Sequence, residues 1–156
     1  MTLAADVLDA ARARGVMIAT AESCTGGLIA GALTEVPGSS DAVDRGFITY
    51  SNAAKMQMLG VRNDTLEAQG AVSEQVAAQM AGGALRLSQA GIAISVTGIA
   101  GPGGSEHKPE GRVCFGIAQP FGTHTETVEF GAIGRHRVRA ATVEHALQML
   151  LHALRD

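Results

Sequence analysis

A serine, a lysine, a tyrosine, a threonine and two arginines hold most of the chemistry open to this sequence. Ser23 stands in Thr20-Ala21-Glu22-Ser23-Cys24-Thr25-Gly26-Gly27, between an apolar stretch read as a strand (Val16 to Ala19) and an amphipathic stretch read as a helix (Leu28 to Leu33). That junction predicts Ser23 at the positive end of a helix, with free backbone N–H groups directed toward it. A serine so placed either caps the helix or acts as a nucleophile whose developing negative charge the backbone stabilises. None of His107, His124, His136, His145 and His152 adjoins it in sequence. A lysine can activate a serine instead, when its ammonium is desolvated or lies near other cations. Lys55 follows Tyr50-Ser51-Asn52-Ala53-Ala54, in the first turn of an expected helix, where the dipole disfavours the ammonium form. Tyr50 could relay a proton or orient the pair. The commoner fate of a lysine is a solvated surface position, and spacing alone favours that reading.

Two further segments join these. Ser95 to Ser105 reads as a buried strand ending at Thr97, followed by a glycine-rich loop from Gly98 to Gly111. Small residues at a strand end let a ligand approach the backbone closely, although a flexible surface loop has the same composition. Arg135-His136-Arg137-Val138-Arg139 opens the last expected helix. Cations at a helix N-terminus oppose its dipole unless an anion sits there, so Arg135 or Arg139, four apart and on one face, could hold a phosphate. A solvated basic patch is the alternative. No nucleophile elbow, Walker loop or dinucleotide fingerprint is present, and no histidine spacing suggests a metal site.

The elements that must position these residues follow from periodicity and punctuation. Leu3, Val7, Leu8 and Ala11 share one helical face, with Gly15 as the stop. Val43 to Tyr50 reads as a second strand, and Ser51 or Asn52 caps a helix ending near Gly60. Asp64-Thr65-Leu66-Glu67 resembles a capping box. Ser73 opens a longer helix with Val76, Met80, Ala84 and Leu87 inward. Ile92 to Val96 is the most apolar strand and is placed centrally. Val113 to Ala118 and Thr125 to Phe130 read as a hairpin about Pro120 to Gly122. Val138, Val143, Ala146, Leu147, Leu150 and Leu154 line one side of the closing helix. These elements predict one α/β domain over 1–156, a three-layer α/β/α sandwich with a mixed, mostly parallel sheet and a late β-hairpin.

Bulk properties narrow the function further. In 156 residues nearly half are apolar yet aromatics are scarce, so the core must be aliphatic. A net charge of −3 argues against a non-specific nucleic-acid surface. Cys24 and Cys114 supply neither a disulfide framework nor zinc spacing, which fits a reducing cytoplasm. Neither a signal peptide nor a membrane-length apolar run is visible. The alanines from Ala77 to Ala84 permit packing between subunits or within the core, so a homo-oligomer is possible and not readable.

Together the pieces resemble one family. Glu22-Ser23-Cys24-Thr25-Gly26-Gly27, Thr49-Tyr50-Ser51-Asn52-Ala53-Ala54-Lys55, Gly70-Ala71-Val72-Ser73-Glu74 and Val96-Thr97-Gly98-Ile99-Ala100-Gly101-Pro102 are similar, in the same order, to the CinA C-terminal domain. That family includes nicotinamide mononucleotide amidohydrolases, and this chain looks like its stand-alone form. The resemblance implies hydrolysis of nicotinamide mononucleotide to nicotinic acid mononucleotide and ammonia, with no metal or organic cofactor. It implies Ser23 as nucleophile, with Lys55, Tyr50 and Thr97 as the other catalytic residues. Expected substrate contacts are Cys24, Thr25, Gly26, Gly98, Gly101 and, for the phosphate, Arg135 or Arg139; Tyr50 and Phe47 are candidate walls for the ring. Two departures stand out: the loop after Pro102 is one residue shorter than usual, and Lys108-Pro109-Glu110-Gly111 replaces the frequent Lys-Pro-Val-Gly. A nucleotide-binding module without catalysis, or an amidase for another small amide, are the rival readings.

Overall fold

The computed structural model describes residues 2–156. Among these, five strands form one sheet in the order β2-β1-β3-β4-β5. They are β1 (Ile18–Glu22), β2 (Val43–Ile48), β3 (Ile92–Gly98), β4 (Arg112–Gln119) and β5 (Gly122–Glu129). β1 pairs in parallel with both β2 and β3, whereas β3–β4 and β4–β5 are antiparallel. β1 and β3 are buried almost throughout, which is why they read as apolar runs. The sandwich expected from the sequence is the one observed.

The helices are α1 (Leu3–Arg14), α2 (Leu28–Thr34), α3 (Asn52–Leu59), α4 (Asn63–Gln69), α5 (Glu74–Arg86) and α6 (Arg135–Arg155). α1, α2 and α6 cover one face over a core of Val7, Leu8, Ile29, Leu33, Ile94, Phe115 and Leu150. α3, α4 and α5 cover the other, where Leu59, Val76, Met80 and Ala84 meet Ala19, Ala21 and Ala93. Ala77, Ala81 and Ala84 are buried within the chain itself, so this alanine face of α5 serves its own core. Gly83 lets α5 approach α3 closely: a Cβ there would collide with the Leu59 carbonyl.

Several boundaries differ from the sequence reading for identifiable reasons. β1 starts two residues later than Val16 and runs through Glu22, bringing a carboxylate into a buried strand. Leu87 is exposed because α5 has ended, although the apolar spacing continues past the last helical turn. Asp64 lies inside α4 and pairs with Arg62, the residue at the N-cap, so the expected capping box is not formed. Ser51 and Ser73 do cap α3 and α5, accepting from the Ala54 and Val76 N–H groups.

The path of the chain fixes where a ligand can bind. From β1 it crosses through α2 to β2 on one side, then returns through α3–α5 to β3 on the other. Adjacent parallel strands whose connections leave in opposite directions open a crevice at their carboxyl ends. Ser23 follows β1 directly and Thr97 lies at the end of β3, and the Ser23 N–H donates to the Val96 carbonyl at 3.1 Å across that crevice. Among the described residues no helix is long and apolar enough to cross a membrane.

Candidate active site

Lys55 folds back from α3 beneath the end of β1. Its Nζ lies 3.0 Å from Ser23 Oγ, 3.0 Å from the Thr49 carbonyl and 3.2 Å from the Tyr50 carbonyl. The residue is only 1 % exposed, so an ammonium here would be nearly without solvent. Burial pulls its pKa down from the ordinary 10.5, while the thiol of Cys24 and the carboxylate of Glu106 act in the opposite sense. Desolvation, rather than the helix dipole expected from the sequence, is the leading cause. The three contacts suit the three donors of an ammonium or, in the neutral form, two N–H groups on the carbonyls and a lone pair facing the Ser23 hydroxyl. No relay is needed between them. Tyr50 contributes its carbonyl, while its exposed phenol oxygen accepts from Arg135 Nη2 at 3.0 Å.

The serine turn is held from three sides, and the expected arrangement at α2 is corrected here. Glu22, itself buried, accepts from the Ile29 and Ala30 N–H groups at 2.9 Å each and from the Thr25 hydroxyl. The start of α2 is thus occupied by a carboxylate of the chain, and Ser23 lies in the preceding turn rather than at the helix end. Gly26 N–H closes that turn on the Ser23 carbonyl, and Gly27, with φ of 107°, carries the backbone into α2 through a conformation open mainly to glycine. Beneath, Arg139 donates through Nε to the Cys24 carbonyl at 3.1 Å and through Nη2 to the Thr25 carbonyl at 3.3 Å. Among the described residues the Cys24 and Thr25 N–H groups donate to no backbone carbonyl. Because a trans peptide sets N–H opposite C=O, the clamp on the Cys24 carbonyl turns the Thr25 N–H away from Arg139.

A cavity of about 310 Å³ opens over this floor. Ser23, Cys24, Lys55, Thr97 and Arg135 line it, with apolar wall from Ala71, Val72, Ile99 and Pro102. Gly98 and Gly101 line it as expected from the sequence. Thr25, Gly26 and Arg139 do not: the first is fully buried against Glu22, the second closes the turn, and the third lies beneath it. Phe47 packs with the α3–α5 core instead of walling the site. Thr97 donates its hydroxyl to the Ala71 carbonyl at 2.8 Å, tying the end of β3 to the turn before α5. Cys24 is buried, and burial pushes its thiol up to about 12, so it stays protonated beside the serine. Glu110 accepts from the Gly103 N–H and folds the glycine-rich loop on itself. A larger groove of about 640 Å³ lies between β5 and α6, lined by Phe121 and Met149, and none of the serine–lysine chemistry reaches it.

Sequence reasoning missed Glu22 and Arg139 as supports of the turn. A glutamate at the end of a buried strand, seven residues before the Ile29 N–H that it caps, was the available signal for the first. The arginine pair was visible by its spacing, but the depth to which each side chain reaches was not.

The model of the CinA C-terminal domain matches residues 1–154. Nicotinamide-nucleotide amidohydrolase PncC of Escherichia coli (strain K12) is 49 % identical over 151 residues, covering 96 % of this chain and 92 % of that protein. A CinA-like protein of Chlorobium phaeobacteroides (strain BS1) is 56 % identical over 147 residues, which are 91 % of this chain but only 35 % of that protein. The chain therefore spans about a third of such longer relatives. The crystal structure of the competence/damage inducible protein CihA from Agrobacterium tumefaciens superposes with a TM-score of 0.89 at 52 % identity, covering 97 % of this chain and 96 % of that one. With its serine turn, buried lysine and mixed sheet, the chain belongs to the CinA C-terminal domain family.

Proposed function

We propose that the protein is a nicotinamide-nucleotide amidohydrolase that converts nicotinamide mononucleotide to nicotinic acid mononucleotide and ammonia through a serine nucleophile. The observation that carries this reading is the buried Lys55 amine, 3.0 Å from Ser23 Oγ with its N–H groups directed to two carbonyls. The likeness to PncC supplies the substrate.

In this mechanism the neutral Lys55 amine takes the Ser23 proton as Oγ attacks the carboxamide carbon. The oxyanion is received by the backbone N–H of Cys24, which lines the cavity beside Ser23. The Lys55 ammonium returns its proton to the amide nitrogen, the C–N bond breaks and ammonia leaves. Water, deprotonated by the same amine, then attacks the acyl carbon, and the ester bond breaks to give the carboxylate and regenerate the Ser23 hydroxyl. Thr97 fixes the strand end that borders the site. Arg135, on the rim, binds the 5′-phosphate through guanidinium N–H groups not committed to Gly101 and Tyr50. A small-molecule substrate in a cytoplasmic setting and a role in pyridine-nucleotide recycling follow from the same reading.

Ammonia release measured on nicotinamide mononucleotide, nicotinamide riboside and free nicotinamide tests it. The nucleotide should be turned over far better than the other two. Equal use of nucleotide and nucleoside would remove the phosphate clamp, and tight nucleotide binding without turnover would make the domain a binding module.

A further inference from the structure

The cavity holds two opposite charges that do not neutralise each other. Arg135 lines it from the start of α6, and Glu106 lines it from the glycine-rich loop. Among the described residues neither forms an ion pair, with the other or with any third group. The guanidinium meets only neutral oxygens, the Gly101 carbonyl and the Tyr50 phenol. Lys108, two residues beyond Glu106, directs its ammonium to the Gln69 and Val72 carbonyls and lies near the Glu106 carboxylate without forming an ion pair with it, a Cβ on Gly70 meeting both. Glu106 itself rests against Gly70, where any side chain would collide with its carboxylate. Opposite charges kept apart in about 310 Å³ favour a ligand that is itself bipolar, with its anion at Arg135 and its cation at Glu106.

The position of Glu106 relative to the chemistry sharpens this. Glu106 lines the same cavity as Ser23 and Lys55, so a carboxamide bound at Ser23 places its ring in the space that the carboxylate borders. In an oxidised nicotinamide nucleotide that ring is a pyridinium with a full positive charge. In the reduced nucleotide the ring is neutral, while the carboxamide and phosphate are unchanged.

Resting on the deamidase reading, we propose that Glu106 is a specificity-determining residue whose carboxylate is the counter-charge for a cationic ring, so that the site selects N-alkylpyridinium carboxamides over their reduced, neutral forms. Calorimetric titration of nicotinamide mononucleotide and its reduced form into protein carrying Ser23→Ala, which consumes neither, provides the test. Adding Glu106→Gln should weaken the oxidised nucleotide about fivefold, as expected for a partly exposed charge pair, and leave the reduced one within about twofold. Arg135→Met, by contrast, should weaken both alike, since both carry the phosphate. Equal weakening of the two forms by Glu106→Gln, no weakening of either, or no measurable binding overturns the proposal. Failure of the deamidase reading has a separate signature. The native protein would then release no ammonia from nicotinamide mononucleotide, while a selective loss of oxidised-nucleotide affinity would still uphold the role of Glu106.

Discussion

The floor and the rim of the cavity hold cations under opposite conditions. Lys55, on the floor, is almost wholly buried and meets only neutral oxygens. Arg135, on the rim, is exposed at the start of a helix and keeps free N–H groups. A lysine responds to burial by losing its proton and becoming a base, whereas an arginine stays charged and can only attract. Under the proposed mechanism the same sign of charge in the same cavity is therefore converted into reactivity at one depth and into recognition at another.

Substitutions can break that division, beginning with the largest effect. Ser23→Ala should lower kcat for ammonia release by on the order of 10⁴-fold or more with folding intact, as judged by circular dichroism. Lys55→Met should cost about 10³- to 10⁴-fold in kcat with KM little changed, and the double variant should be hardly worse than Ser23→Ala alone. Lys55→Arg should not rescue, because a guanidinium does not release its proton. A floor lysine acting only as structural filler would instead leave kcat near that of the native protein.

On the rim, Arg135→Met should raise KM about tenfold with kcat within about threefold, the behaviour of lost uniform binding. Arg139→Ala should show the reverse split, lowering kcat about tenfold at nearly constant KM, because it holds the serine turn from beneath. If Arg139→Ala changes mainly KM, the boundary between the two regions is drawn in the wrong place.

The pH dependence sharpens the comparison. Activity should rise as pH passes through the folded pKa of Lys55, on a limb lying below the ordinary 10.5. Stability has a linked sign. The unfolded chain binds the Lys55 proton more readily than the folded one, so the native protein should gain stability relative to Lys55→Met as pH rises from the folded pKa toward 10.5. Denaturant midpoints of the two proteins at several pH values measure that difference. A gap independent of pH over this window would mean that Lys55 is charged in the fold. The smallest effect is expected at Cys24→Ala, within about threefold in kcat, since the thiol is inert and only a small volume is lost.

The strands and the order of helices were legible because each rests on local pattern, apolar runs and capping serines at 51 and 73, while the serine, lysine, tyrosine and threonine were singled out by motifs in the family's order. What escaped depends on depth. Nothing local says that Lys55 is buried; that follows from Gly83 admitting α5 against α3 and from the turn over Thr49 and Tyr50. The spacing of Arg135 and Arg139 gives a shared face of α6, but the length of the side chain and the height of the serine turn decide that one reaches the cavity while the other supports it. Glu22 carries only a faint signal, a glutamate at a buried strand end seven residues before the N–H that it caps, and its role rests on the turn that brings the two together. Leu87 shows the converse error, an apolar period outlasting its helix.

The protonated Cys24 has a practical consequence for handling the protein. Alkylating reagents and mild peroxide act on thiolates, and this sulfur is both shielded and held in its unreactive form. Iodoacetamide should therefore leave turnover intact, whereas an acylating inhibitor aimed at hydroxyls would find its target on the neighbouring residue. The inert thiol and the proposed nucleophilic hydroxyl, joined by one peptide bond, can thus be told apart by reagent alone.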